Sequence, residues 1–315
     1  MAKRRPGRGG TGPAPLPELA GLRPGQSLEL LKELHILTRD GHINQDSRRK
    51  LKQVNHLFQL IEPLLLELES GAPAHGDAAA SAPRGLTIAD HGAGKSYLGF
   101  ILYDLFFRHR SGGRMVGVET RPELVQRSQE LAARLGFTRM SFLNLSVEQA
   151  GASQALPAQI DVVTALHACD TATDDAITFG LQKGARCMVL VPCCQAELAR
   201  LLNAGKALSL GRTPLAELWR HPLHTREIGS QLTNVLRCLY LEARGYSVSV
   251  TELVGWEHSM KNELILARFT GRRNRAAGQR LRALLEQFGL TSLLQSRFVI
   301  DEDNEAASAA LALPA

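Results

Sequence analysis

The sequence predicts an α/β protein built on a doubly wound, mostly parallel sheet with a helical extension at its N-terminal side. Three observations predict it. From Leu86 to Phe269 short apolar runs alternate with segments of helical period, the pattern of successive βαβ units. The first of these runs, Leu86 to Ala89, ends in Asp90-His91-Gly92-Ala93-Gly94 and passes straight into a helix with apolar residues at Leu98, Ile101, Leu102, Leu105 and Phe106. The second run, Arg114 to Val118, also ends in an acid, Glu119.

Composition excludes several classes. With 315 residues, 44% hydrophobic and 22% charged, the chain is globular rather than disordered or fibrous and can bury a large core. The apolar run Leu98 to Phe107 is broken by Asp104, so no membrane span is expected. The basic start is followed by Gly and Pro rather than an apolar core, which argues against a secretory leader. Five cysteines, two of them adjacent and none in C-x-x-C spacing, predict reduced thiols, a cytoplasmic location and no metal site. The net charge of +6 favours an acidic partner, with RNA foremost. The sequence assigns no oligomeric state.

In chain order, residues 1–24 are Gly/Pro-rich and basic and read as a disordered tail. Residues 25–70 form the helical extension. A short helix is expected over Leu28 to Leu37, then a longer one capped by Asp46, with apolar positions Leu51, Val54, Phe58, Ile61, Leu65 and Leu68. Pro63 is expected to kink or restart it. Arg48, Arg49, Lys50 and Lys52 crowd its first turns, against the helix dipole, a small cost that suggests a phosphate-facing role. Residues 71–84, rich in Ala, Gly and Pro, read as a linker, 85–271 as the main domain and 272–315 as a C-terminal helix and tail.

The loop after the first strand selects among cofactors. A phosphate-cradling G-x-x-x-x-G-K-[ST] loop fails because Ala89 stands at its first glycine. A dinucleotide G-x-G-x-x-G fails because Tyr97 stands at the third, where a ring would push helix from strand. What is left is an acid-x-Gly-x-Gly turn, Asp90 to Gly94, followed by Lys95. This turn resembles the first motif of class I S-adenosylmethionine-dependent methyltransferases, whose sulfonium cofactor carries no phosphate. Glu119, at the end of the second strand, stands where doubly wound folds hold a ribose diol. Two structural alternatives stand beside these roles: Asp90 capping the helix and Glu119 pairing with Arg121.

The remaining strands are expected at Met140 to Leu145, Ile160 to Leu166, Cys187 to Val191, Tyr246 to Val254 and Glu263 to Phe269, with a helix from Ser230. Asn144 to Val147 would flank the adenine. Leu166 runs into His167-Ala-Cys169-Asp170 at the carboxyl end of the fourth strand, where transfer chemistry is done in such folds. The Asn/Asp-Pro-Pro-aromatic motif of exocyclic-nitrogen methylases is absent there. Asp174 is expected to cap the next helix. Cys193 and Cys194 read as small buried residues, and a zinc site with His91, His167 and Cys169 lacks spacing support.

Further segments narrow the resemblance: Leu166 to Asp174, Pro192-Cys193-Cys194, Arg237-x-x-x-Leu241-Glu242-x-x-Gly245-Tyr246 and Lys261-Asn262. They resemble the domain of eukaryotic methyltransferase-like proteins and their bacterial relatives, and that of related tRNA 2′-O-methyltransferases. The chain departs from them at His91 and Asp170, where small residues or glycine are common, and has no N-terminal zinc module. The resemblance implies a seven-stranded Rossmann-like sheet and S-adenosyl-L-methionine held by Asp90, Gly92, Ala93, Gly94, Lys95, Glu119, Asn144 and Leu166. The resemblance does not carry the substrate over; the basic arm and basic tail favour RNA, tRNA or rRNA, as the acceptor. For a ribose hydroxyl acceptor, His167, Asp170 and Lys261 are the candidate base and alkoxide-stabilising groups. Rival readings are methylation of a protein or small molecule, or a non-catalytic cofactor-binding regulator.

Overall fold

The structure, a computed structural model, describes residues 22–71, 85–166, 170–192, 196–204, 214–253 and 263–300. Seven strands form one sheet: β1 (Thr87–His91), β2 (Arg114–Glu119), β3 (Met140–Asn144), β4 (Val162–Leu166), β5 (Cys187–Val191), β6 (Tyr246–Glu252) and β7 (Glu263–Phe269). Their order is β3-β2-β1-β4-β5-β7-β6. Strands β1 to β5 pair in parallel, and β7 lies antiparallel between β5 and β6. Every residue of β1 and of β5 is buried, which is why these strands read as continuous apolar runs rather than alternating ones. Strand order reverses at β1, which has β2 on one side and β4 on the other, so their carboxyl ends open a crevice.

The helices are α1 (Leu28–Glu33), α2 (Gln45–Glu69), α3 (Tyr97–Leu102) with a π-helical turn at Tyr103–Phe107, α4 (Pro122–Arg134), α5 (Val147–Ala152), α6 (Ala172–Gln182), α7 (Glu197–Ala204), α8 (Pro222–Ala243), α9 (Arg275–Gln287) and α10 (Leu293–Ser296). They build two apolar layers. In one, Leu30, Phe58, Ile61 and Leu65 join Ile88, Phe100 and Met115. In the other, Phe179, Leu236, Leu241 and Leu281 pack with Val163 and Leu190. The stripe Phe58, Ile61, Leu65 of α2 follows helical spacing, and each fully buried side chain of this kind contributes about 2 kcal/mol. Helices α1 and α2 are thereby packed on the same core as the sheet. The expected linker lies, but for Gly71, outside the described residues.

Several local expectations are corrected. α1 stops at Glu33 because His35 takes a left-handed φ of 54°, and the N–H groups of Ile36 and Leu37 turn back to Leu31 O. Asn44, not Asp46, caps α2, its Oδ1 accepting from Ser47 N at 2.8 Å. Asp46 lies inside the first turn and pairs with Lys50 at 2.9 Å, offsetting part of the cationic cost there. α2 continues through Pro63, with buried residues on both sides holding it to the core. α8 begins at Pro222, a first-turn proline, rather than at Ser230. Asp174 lies within α6, whose cap position is Thr171.

Candidate functional site

The site is built where β1 stops. Asp90 is 2% exposed and its two oxygens are divided between partners: Ser96 Oγ donates to Oδ2 and Thr164 Oγ1 to Oδ1, both at 2.8 Å. Gly92 and Gly94 take left-handed φ values of 64° and 57°, and no atom of the described residues lies within 4 Å of where a Gly92 side chain would start. Backbone can therefore meet a ligand directly. Gly99 matters for a different reason. Any side chain there would strike Ser96 Oγ and come within 3.1 Å of Asp90 Oδ2, so its absence lets α3 sit down on the acid.

Burial pushes the Asp90 carboxyl up to about 6, against the pull of the Ser96 and Thr164 hydroxyls and helped by the nearby Glu119 charge. Glu119 behaves oppositely. Burial pushes it up, but hydrogen bonds from Arg121 and from Gly94 N prevail and hold it down at about 2. Its Oε2 accepts from Gly94 N at 2.7 Å and Arg121 Nη2 at 3.2 Å; its Oε1 accepts from Arg121 N and Nε, each at 3.0 Å, and from Thr120 Oγ1 at 3.2 Å. Of the two structural alternatives foreseen for these acids, the Glu119–Arg121 pair is present, whereas Asp90 does not cap α3: Ser96 holds the cap position, and Asp90 accepts from two hydroxyls rather than from helix N–H groups. Neither arrangement excludes a ligand.

A cavity of about 430 Å³ opens over this loop, within the range of small-molecule sites. Asp90, Gly92, Ala93, Gly94 and Lys95 line it, with Leu166 from β4 and Arg121 from the turn after β2. Lys50, Gln53, Val54 and Leu57 of α2 form its opposite wall. Tyr97, whose hydroxyl donates to Leu34 O, and Leu98 and Ile101 complete it with Ile36 and Leu253. Burial pushes the Tyr97 phenol up, with Lys50 opposing.

Six of the eight residues expected to hold a cofactor therefore line one cavity. Glu119 stands behind the loop rather than on the wall, touching it through Gly94 N. Asn144 is also off the wall; its Nδ2 donates to Glu119 O at 3.0 Å and Thr120 O at 2.8 Å, fixing the turn that carries Arg121. Among the expected catalytic residues, His167 and Lys261 lie outside the described residues, as do Cys169, Cys193 and Cys194. Asp170 has a left-handed φ of 52°, and its carboxylate accepts from Ala196 N and Glu197 N, each at 3.0 Å, and from Arg200 Nη2 at 3.1 Å. Burial opposes, but these donors hold its carboxyl below the usual range. Asp174, instead of capping, forms a two-pronged pair with the fully buried Arg237, at 2.7 and 2.8 Å.

His91 points to the other face of the strand, 5.2 Å from the Phe179 ring. Neither of its ring nitrogens has a hydrogen-bond partner among the described residues, and burial lowers it to about 4, with the Glu119 charge opposing. It is neutral at physiological pH. Sequence reading missed Thr164, Ser96, Gly99 and the α2 wall. The glycine at Gly99, one turn into a helix, was the available signal for close approach. Among the described residues no group of three or more His, Cys, Asp and Glu could hold a metal, and no helix is long and apolar enough to cross a membrane.

The donor set suits a ligand with hydroxyl and cationic groups: two buried carboxylates flank the loop and would repel a phosphate chain. A family model described as a methyltransferase domain matches residues 49–201, a span that takes in α2 as well as the sheet's first five strands. No curated protein matches. Similar solved structures include magnesium protoporphyrin IX methyltransferase (ChlM) from Synechocystis PCC 6803 with bound SAH, at 16% identity over 76% of this chain and 93% of that one, TM-score 0.40. An rRNA methylase from Streptococcus thermophilus is 9% identical over 58% of this chain and 86% of its own, TM-score 0.36. A putative caffeoyl-CoA O-methyltransferase from Staphylococcus aureus is 11% identical over 77% and 92%, TM-score 0.41.

Sheet order, acid-flanked glycine loop and family match define the class: a class I methyltransferase fold. Residues 49–201, just under half of the chain, match a methyltransferase domain, and the enzyme class is that of a methyltransferase.

Proposed function

We propose that the protein uses S-adenosyl-L-methionine as its cofactor and that the methyl acceptor is RNA, tRNA or rRNA. The observation that carries this reading is the set of cations at the cavity. Lys50, Lys95 and Arg121 line it, and Arg48, Arg49 and Lys52 extend the charge along the same helix, on a chain of net charge +6. Such a rim suits a phosphodiester backbone. When bound, the cofactor supplies an electrophilic methyl on its sulfonium. The chain's own residues do the rest. The Gly92 to Gly94 backbone admits the ligand, Glu119 accepts hydroxyl protons in hydrogen bonds, and Val54 and Leu57 of α2 exclude water. Proton handling at a ribose hydroxyl falls to His167 and Lys261 ahead of Asp170, whose oxygens already accept from three donors. We place the protein in the cytoplasm on its cysteine usage.

A second reading rests on the apolar character of Ile36, Val54, Leu57, Leu98, Ile101 and Leu253 around the cavity, which favours a small apolar acceptor. Incubating the protein with methyl-labelled S-adenosylmethionine and, separately, cellular RNA, protein and metabolite extracts decides between them. Label in RNA, lost steeply with added salt, is expected; label confined to metabolites or protein would overturn the RNA reading.

A further inference from the structure

Glu119 already carries more donors than it has room for. An ionised carboxylate offers about four lone-pair sites, yet five hydrogen bonds reach this one: from Thr120 Oγ1, Gly94 N, Arg121 N, Arg121 Nε and Arg121 Nη2. Three of the five belong to the backbone or to the adjoining threonine and stay wherever the turn stays. The other two come from one guanidinium, which presents two parallel N–H groups to the two oxygens. A vicinal ribose diol presents two O–H donors to the same pair of oxygens. It cannot add to them while the guanidinium is there.

We propose that Arg121 is a latch on Glu119, a stand-in for the ribose diol that the incoming cofactor must displace. The proposal rests on the reading of Glu119 as the diol acceptor. Geometry favours a movable latch. The Arg121 side chain is 59% exposed while that of Glu119 is 6% exposed, so the guanidinium can leave for water while the acid stays in place. Arg121 is the cap position of α4 and makes no side-chain capping bond, so its departure costs the helix nothing. It also lines the cavity, with Nη2 3.7 Å from the position of a Gly94 side chain, so its exit clears the mouth of the ligand site. An ion pair this exposed on one side is weak, worth about fivefold or less in an equilibrium constant. The latch therefore tunes cofactor affinity and keeps a buried carboxylate satisfied between turnovers.

Calorimetric titration of S-adenosylhomocysteine into the full chain tests it. Arg121→Ala and Arg121→Gln are each expected to bind about two- to fivefold tighter than wild type. Because salt weakens the exposed pair, wild-type affinity is expected to rise toward that of the variants on going from low to high NaCl, while the variants stay level. Weaker or unchanged binding by both variants, with thermal melting intact, would overturn the latch. Adding Glu119→Gln to Arg121→Ala separates the underlying reading: a loss of affinity supports Glu119 as diol acceptor, whereas no loss overturns that role whatever Arg121 does.

Discussion

Thr164 Oγ1 donates to Asp90 Oδ1 at 2.8 Å, between residues 74 apart in the chain. This bond joins β1 to β4 at the point where strand order reverses, and with Ser96 on the other oxygen it holds the loop acid rigidly beneath the cavity. The acid is thereby positioned, yet it sits in a place that disfavours its charge.

Replacing Asp90 with Asn is therefore expected to stabilise the ligand-free protein and to weaken cofactor binding. The folded pKa of about 6 lies above the ordinary 3.8, so stability present below pH 3.8 is lost as pH rises through 6. The difference corresponds to about 3 kcal/mol at neutral pH. An amide can still accept from one hydroxyl and donate to the other. Urea denaturation of both proteins between pH 4 and 7, with calorimetry of S-adenosylhomocysteine, checks both halves.

His91 slopes the other way. Its folded pKa of about 4 lies below the ordinary 6.5, so the stability present above pH 6.5 falls by about 3 kcal/mol as pH drops through 4. The windows of Asp90 and His91 overlap with opposite sign, so wild type is expected to show a shallow profile there. His91→Phe, filling the space against Phe179, should expose the Asp90 slope alone; NMR titration of the His91 ring gives its midpoint directly.

Gly94→Val is expected to abolish cofactor binding while leaving the fold. Its φ of 57° is strained for a β-branched residue, by about 1–2 kcal/mol, and the new side chain would face Arg121 Nη2. Circular dichroism with S-adenosylhomocysteine titration tests this, and retained binding would place the cofactor elsewhere.

Arg237→Ala should cost about 3–5 kcal/mol of stability, because it strands the Asp174 carboxylate beside α8. The double change Arg237→Met with Asp174→Leu removes both charges and is expected to recover much of that loss. Thermal or denaturant unfolding of the three variants measures it.

Replacing Arg48, Arg49, Lys50 and Lys52 together with Ala should weaken RNA binding and flatten its salt dependence. Affinity for S-adenosylhomocysteine should change far less, since only Lys50 of the four lines the cavity. Filter binding across a salt series, set beside calorimetry, makes the comparison.

Much of this architecture was legible in the residues. Strands β1, β2 and β5 show as apolar runs because parallel strands buried on both faces leave no room for alternation, and the glycine loop lies where a cavity opens at the sheet edge. Helix ends were less legible. Asn44 and Asp46 are both good caps by type, and only the backbone path into α2 selects Asn44. The end of α1 depends on His35 adopting a conformation that its sequence does not advertise. Asp170 looked like chemistry because it is an acid at the carboxyl end of a strand; its commitment to Ala196, Glu197 and Arg200 is set by how α7 packs.

By itself the sequence determined the class of the fold, the strand that carries the site and the turn chemistry of residues 90–94, because periodicity, glycine placement and strand-end acids act over a few neighbouring residues. Only the tertiary structure decided what those residues meet. Thr164 reaching Asp90, α2 walling the cavity and Arg121 occupying the carboxylate of Glu119 all depend on the folded path of the chain. Hydrogen bonds and burial are satisfied in three dimensions, and spacing along the chain does not encode which partner will be there to satisfy them.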